Sequence, residues 1–303
     1  MSIDAQSNNY KSGFITLLGR PNSGKSTLLN CILGQKVVIT SDKPQTTRNS
    51  IRGIYTGADY QLIFIDTPGV QKPRYKLEQE MMSAVRNALL AVDGVIYLVD
   101  ATADFGGGEQ YILKELGRQQ APVFLAINKI DLLPKDKLLP LIDFYRGKYN
   151  FAEIIPISAA NGENVDKFLT LWPQYLPPGP QYYPDGMVSD QPEQQLIGEL
   201  VREQVFKQMR QEIPHSVAVN LNALEERENG LLYVEAIIYV ERDSQKGIII
   251  GKNGQTLKNI GKAARQEISR LLFCEVYLEL RVKMRKDWRN NETLLRNWQL
   301  TSE

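Results

Sequence analysis

One short segment concentrates the chemistry. Gly19-Arg20-Pro21-Asn22-Ser23-Gly24-Lys25-Ser26, followed by Thr27, has the spacing G-x-x-x-x-G-K-[ST]. Its glycines let backbone N–H groups curl around a phosphate, and the helix it opens adds a favourable dipole. Lys25 supplies a point charge for the outer phosphate oxygens, and the Ser26 hydroxyl is a ligand for Mg²⁺. Three further patterns follow in chain order. Asp66-Thr67-Pro68-Gly69 sets a carboxylate where a Walker-B acid holds Mg²⁺ through water, although a turn-capping Asp would look the same. In Asn128-Lys129-Ile130-Asp131 the Asp131 carboxylate is acceptor-only, which suits the adjacent N1–H and N2–H₂ donors of guanine that adenine lacks. Ser158-Ala159-Ala160 can offer backbone N–H groups to guanine O6.

Those residues need elements to hold them. Apolar runs at 14–18, 51–56, 60–65, 95–99, 123–127 and 154–157 alternate with helical periods. This predicts a mostly parallel α/β sheet covered on both faces. The 51–56 and 60–65 runs, separated by Gly57-Ala58-Asp59, read as an antiparallel hairpin. All four patterns then lie at carboxyl ends of strands, where such sheets bind ligands. Pro173, Pro177, Pro178, Gly179, Pro180 and Pro184 interrupt the alternation, so 173–190 reads as a linker between domains at 12–172 and 191–303. The second domain reads as helix, two strands, short helix, helix and strand, a smaller α+β unit. In its last strand Val276, Leu278, Leu280, Val282 and Met284 are expected inward, with Tyr277, Glu279, Arg281, Lys283 and Arg285 outward.

Ile250-Gly251-Lys252-Asn253-Gly254 contains G-x-x-G, a spacing common by chance. Its context is more telling. The helix after it has an apolar stripe at Leu257, Ile260, Ala264, Ile268 and Leu271, opposite Lys258, Lys262 and Arg265. Basic residues gathered beside a glycine loop in a near-neutral chain suit a nucleic-acid footprint, though a solvated helix face has the same charges. Arg281 and Lys283, with Arg285 and Lys286, would extend that phosphate track.

The chain of 303 residues has 36 Lys+Arg against 35 Asp+Glu, so net charge alone signals neither nucleic acid nor membrane. Two Cys exclude a disulfide framework and fit a reducing compartment, and one His with distant Cys makes no zinc set. No apolar run reaches the roughly 18–20 residues that span a bilayer, and the polar start has no leader pattern. A soluble, cytoplasmic protein is expected. No heptad seam is present, so a monomer is expected.

Residues 14–172, with their four ordered motifs, resemble a translation-factor-class P-loop GTPase domain. The element order after 191 and its IIIGKNG loop resemble a type-II KH domain, which clamps about four nucleotides of single-stranded RNA. GTPase domain, Pro-rich linker and KH domain in this order, with Glu199-Leu200-Val201-Arg202-Glu203 between, resemble the Era-type GTPases over about 12–290. The resemblance implies GTP and GDP as ligands and Mg²⁺ held by Ser26, Asp66 and the switch residue Thr47 of Thr46-Thr47-Arg48. It implies binding of the 16S rRNA 3′ end, small-subunit (30S) assembly and peripheral contact with the inner membrane. Val70 stands where Ras-like enzymes have a water-positioning Gln. In relatives with an apolar residue there, the Asn of the phosphate loop, here Asn22, ligates a K⁺ ion that replaces an arginine finger. Slow intrinsic hydrolysis follows. The alternatives are an RNA-binding scaffold with a mainly structural nucleotide site, and a signalling GTPase that binds no RNA.

Overall fold

The computed structural model describes residues 10–41, 43, 46–209 and 213–300. The first half is built on strands β1 (Lys11–Gly19), β2 (Ile51–Thr56), β3 (Tyr60–Asp66), β4 (Gly94–Asp100), β5 (Val123–Asn128) and β6 (Glu153–Pro156). They form one sheet in the order β2-β3-β1-β4-β5-β6. Only β2 runs antiparallel, as its short Gly57-containing turn to β3 requires. Helices α1 (Lys25–Leu33), α2 (Lys76–Leu90), α3 (Gly107–Leu116), α4 (Lys135–Arg146) and α5 (Val165–Leu171) cover both faces. Strand parity divides the core. Ile96, Leu98 and Phe124 meet Leu28, Leu29, Phe168 and Trp172 on one side. Val95, Tyr97 and Val99 meet Met81, Ile112 and Tyr145 on the other. A strand buried on both faces has no polar side, hence the continuous apolar runs.

The second half contains α6 (Glu193–Gln208), β7 (Ala218–Glu226), β8 (Leu232–Val240), α7 (Asp243–Ile250), α8 (Gln255–Leu272), β9 (Val276–Met284) and α9 (Glu292–Asn297). Its sheet order is β7-β8-β9, with β8 and β9 parallel. Helices α6 and α8 bury Val201, Val205, Ile260, Ala264 and Ile268 against Val234, Ile238 and Val282. A bulge between Leu221 and Ala223 shifts the parity of β7, so Leu224 joins Val219 and Leu221 on the covered face. Met284, expected inward, is instead exposed at the last position of the strand. On the other face Tyr239 and Ile237 are roofed at one end by Trp288, Leu295 and Trp298. Trp298 stacks on Tyr239 at 4.3 Å.

The Pro-rich segment is not a free tether. It passes from the start of β1 across β3 to the edge strand β2, with isolated bridges Lys11↔Pro178 and Gly53↔Ser189. The Gln61 carboxamide accepts from the N–H groups of Tyr182 and Tyr183 and donates to the Tyr183 carbonyl. Arg52 pairs with Asp190 at 2.9 Å. Prolines suit an edge because the bonds there use only half of the backbone groups.

Candidate functional site

The glycine loop leaves β1 and enters α1, so the first N–H groups of α1 face the ends of β1 and β3. Two close approaches fix its shape. A Cβ on Gly24, at φ +99°, would lie 2.2 Å from Asn128 Nδ2, and one on Gly69 would lie 2.7 Å from the Pro21 nitrogen. Asn128 is buried and works as a brace. Its Nδ2 donates to the Ser23 carbonyl at 2.8 Å and its Oδ1 accepts from Ala159 N at 2.9 Å. The phosphate loop and the Ser158-Ala159-Ala160 loop are thereby locked together. Thr67 donates to the Leu17 carbonyl at 2.6 Å, and Val70 N to the Gly19 carbonyl at 3.1 Å, which ties the Asp66–Gly69 segment to β1.

Lys25 is 6% exposed, with its ammonium 3.1 Å from the Gly19 carbonyl and 3.0 Å from that of Arg20. Burial pushes it down to about 8, partly opposed by Asp66. Three oxygen groups converge beside it. Ser26 Oγ donates to Asp66 Oδ2 at 2.8 Å, Thr47 Oγ1 does so at 3.2 Å, and the two hydroxyls are 3.0 Å apart. Asp66 is fully buried, and burial raises its carboxyl against the pull of Lys25, Ser26 and Thr47. Its Oδ1 has no partner. A hard oxygen set with an orphaned buried carboxylate oxygen fits Mg²⁺, which takes one or two carboxylates plus phosphates rather than a protein cage. Accordingly, no cluster of three or more His, Cys, Asp or Glu suited to a metal exists among the described residues.

At the base end, Ser158 donates to Asp131 Oδ1 at 2.6 Å and orients a carboxylate that is itself exposed. Lys129 lies at φ +67° and pairs with Asp100 at 2.5 Å. A cavity of about 450 Å³ is lined by Pro21, Asn22, Gly24, Lys25, Ser26, Thr27, Thr46, Thr47, Gly69 and Lys129, together with Thr40 and Ser41. A larger cavity of about 890 Å³, between residues 48–50, α2, the start of α6 and α9, includes no residue of the phosphate loop.

Several expected site residues therefore meet at one place, and others do not. Arg20 turns its side chain away to Glu109, 2.9 Å distant, so only its backbone serves the loop. Pro68 is buried as the turn residue behind Gly69, while Ala160 is exposed beyond the Asn128 brace. Ile250, Gly251, Lys252, Asn253 and Gly254 form the turn between α7 and α8, and Lys258, Lys262 and Arg265 stand exposed on α8. Arg281 and Lys283 lie on the opposite face of the second sheet and cannot share one surface with α8. Sequence reading missed Asp100, the partner of Lys129, and the cavity-lining Thr40 and Ser41. A strand-terminal Asp is a weak signal for the first, and polar loop residues give none for the others.

The two halves meet at the segment that bears Thr47. Arg48 is 3% exposed and donates to the carbonyls of Val217 (2.6 Å) and His215 (3.2 Å). Arg202 of α6 donates to the Thr46 carbonyl, and Lys43 to the carbonyls of Phe206 and Met209 at the end of α6. Glu203 of α6 accepts from Lys36 at 2.6 Å and from Thr40 N at 3.3 Å. At the start of α2, Lys76 pairs with Glu292 at 2.7 Å, and Arg289 lies over the Tyr75 ring.

A parallel sheet with a Walker-type loop, a Mg²⁺-type oxygen triad and an Asp-bearing guanine loop, joined to a small α/β unit with a G-x-x-G turn, defines a P-loop GTPase carrying a KH domain. The sequence model of a family described as 50S ribosome-binding GTPase matches residues 14–129, and a KH-domain model matches 212–289. A structure of Era in complex with MgGDPNP and nucleotides 1506–1542 of 16S ribosomal RNA is 38% identical, with a TM-score of 0.94 over 97% of this chain and all of that one. A point variant of Aquifex aeolicus Era bound to GDP and aluminium fluoride is also 38% identical, with a TM-score of 0.93 over 96% of this chain and all of that one. The chain belongs to the Era family of GTPases.

Proposed function

We propose that this GTPase is a switch that binds 16S rRNA near its 3′ end and assists maturation of the 30S subunit, with its G domain at 12–172, linker at 173–190 and KH domain at 191–303. One observation carries the reading. The segment holding Thr47, a proposed Mg²⁺ ligand, is fastened on both sides of that residue to the KH half, through Arg202 to Thr46 and through Arg48 to His215 and Val217. A change in what Thr47 binds therefore reaches the KH half through bonds one residue away. Coupling of this kind is reciprocal: GTP must alter RNA affinity by the factor by which RNA alters GTP affinity.

In this reading Lys25 and the backbone from Gly19 to Gly24 hold the phosphates. Ser26, Thr47 and Asp66 would hold Mg²⁺, which when bound neutralises charge on the phosphate oxygens. Asp131 selects guanine, while Ser158 and Ala159 close the base pocket. Val70 cannot hydrogen-bond a water through its side chain, so hydrolysis without help is slow. Asn22 at φ +66° lines the phosphate cavity and would hold K⁺, which supplies positive charge in place of a finger. The KH turn from Ile250 to Gly254 grips the RNA backbone, with Lys258, Lys262 and Arg265 along the phosphates. No helix among the described residues is long and apolar enough to cross a membrane.

The test is GTP turnover by the full chain in K⁺ and in Na⁺, with and without a single-stranded RNA from the 16S 3′ end. Faster turnover with RNA is expected, and faster turnover in K⁺ that Asn22→Ala removes. RNA binding that is indifferent to nucleotide would favour a scaffold, and absence of RNA binding would end the KH assignment.

A further inference from the structure

Beyond the part roofed by Trp288, Leu295 and Trp298, the face of the second sheet opposite α8 has a feature that neither the phosphate site nor the G-x-x-G turn uses. Tyr233 and Tyr277 are register partners on neighbouring parallel strands, and their rings stack 5.8 Å apart with planes 13° from parallel. The Arg227 guanidinium lies 4.6 Å from the centroid of Tyr233. Arg227 follows β7, on the side of β8 away from β9, so it closes one end of the stack. The other end is open, because β9 is the edge of the sheet and Tyr277 is 52% exposed.

The same face of β9 continues through Glu279, Arg281 and Lys283, and Arg285 and Lys286 follow just beyond the end of the strand. A single guanidinium serves the two acids beside it. Arg281 pairs with Glu279 at 2.8 Å and with Glu235 at 3.3 Å. Glu279 also accepts from the Tyr233 hydroxyl, and Glu235 from Asn222. Lys283, Arg285 and Lys286 are exposed and make no ion pair among the described residues. From Tyr277 to Lys283 the strand extends about 20 Å at about 3.3 Å per residue.

We propose that this edge is a second RNA track, on the face opposite α8. A base of single-stranded RNA extends the Arg227–Tyr233–Tyr277 stack on the outer face of Tyr277, and the phosphates beside it run along Lys283, Arg285 and Lys286. Lysines alone would serve to guard an edge strand against pairing with other chains. An exposed aromatic stack with an arginine cap does not guard an edge, but it is the platform on which bases stack irrespective of sequence. The unpaired cations Lys283, Arg285 and Lys286 favour a polyanion over a basic protein.

The proposal rests on the RNA-binding reading above, and RNA length separates the two. The full chain is titrated with two single-stranded RNAs sharing one 16S 3′-end segment, of about six nucleotides, enough for the KH turn, and of about twenty. Tyr277→Ala is expected to weaken the longer RNA about tenfold and leave the shorter unchanged, with Tyr277→Phe restoring the affinity. Replacing Lys283, Arg285 and Lys286 together by Gln should lower the logarithmic salt slope for the longer RNA by about 2 and leave that for the shorter alone. Undiminished affinity for the shorter RNA reports that the altered half still folds. Unchanged affinity for the longer RNA, or equal loss for both RNAs, overturns the second track. Binding of neither RNA by the unaltered chain overturns the RNA reading itself.

Discussion

Lys25 and Asp131 show how a residue's surroundings set what it can do. Lys25 sits near 8 because burial disfavours its charge, although the phosphate contact proposed for it needs that charge. Nucleotide binding must then raise its affinity for protons. Calorimetry in buffers of different ionisation enthalpy should find proton uptake at about pH 8.5 and almost none at pH 7. The sign for folding is equally fixed. The unfolded Lys takes up its proton at about 10.4 and the folded one near 8, so this group's cost to stability disappears as pH rises between those values. Asp131 is oriented by Ser158 and presents only acceptors. Asp131→Asn replaces an acceptor by a donor opposite guanine N2–H₂, so GTP affinity should fall about 10²–10⁴-fold. Xanthosine triphosphate, with a carbonyl at that position, should gain affinity in a competition assay. No improvement for the xanthine nucleotide would contradict the base assignment.

At the scale of elements, α6 is more than a wall of the second core. Its Glu203, with a side chain 1% exposed, gathers Lys36, Lys207 and the Thr40 backbone. Burial works to raise its pKa, but the two lysines together hold it below the usual carboxylate value. A lowered carboxylate stabilises above its unfolded pKa, and the contribution is lost as pH falls through the folded value. Glu203→Gln should therefore cost about 1–3 kcal/mol in urea melts at pH 7, with the gap closing below about pH 4. The role of α6 was only half legible in the sequence. Its apolar positions and the G-x-x-G turn announced themselves by period and spacing, as did every strand of the first sheet. The bulge at Leu221/Ala223 carried no signal, since Asn222 looks like any polar strand residue. Nor could periodicity tell that Arg281 and Lys283 lie across the sheet from Lys258, because it gives alternation within a strand but not which face a distant helix covers. The phosphate site was legible because its chemistry is local, within a few residues at each strand end. The clasp around Thr47 was not, because its partners lie more than 150 residues away.

For the whole molecule, the two halves are joined by ion pairs such as Lys36–Glu203 and by side chains that bond to backbone carbonyls across the junction. Arg48 holds two carbonyls of the KH half and lies 5.5 Å from the Trp288 ring. Burial, and next the Arg202 guanidinium, press against its charge, so the two carbonyls are what make its burial tolerable. Arg48→Ala should leave GTP affinity within about threefold, since Arg48 does not line the nucleotide cavity, yet shrink the ratio of RNA affinities in GTP and GDP toward one. Filter binding in the two nucleotides measures that ratio. An undiminished ratio would mean that the message passes elsewhere, through Glu203 or the α2–α9 contacts.

The Pro-rich strip along the first sheet has a consequence for synthesis. While the chain emerges from the ribosome, β2 is complete long before residues 188–190 arrive to pair with its outer edge. During that interval the nascent sheet offers unpaired backbone groups, including the Ile54 N–H that the Val188 carbonyl later accepts from. A bare edge is an invitation to pair with another chain. A truncated protein ending at Trp172 should self-associate in sedimentation at concentrations where one ending at Asp190 stays monomeric. The unit that looks complete by its sheet is thus not complete until its neighbour's tether has been made, and release of this half as an independently folding body waits on the residues that lead to the other.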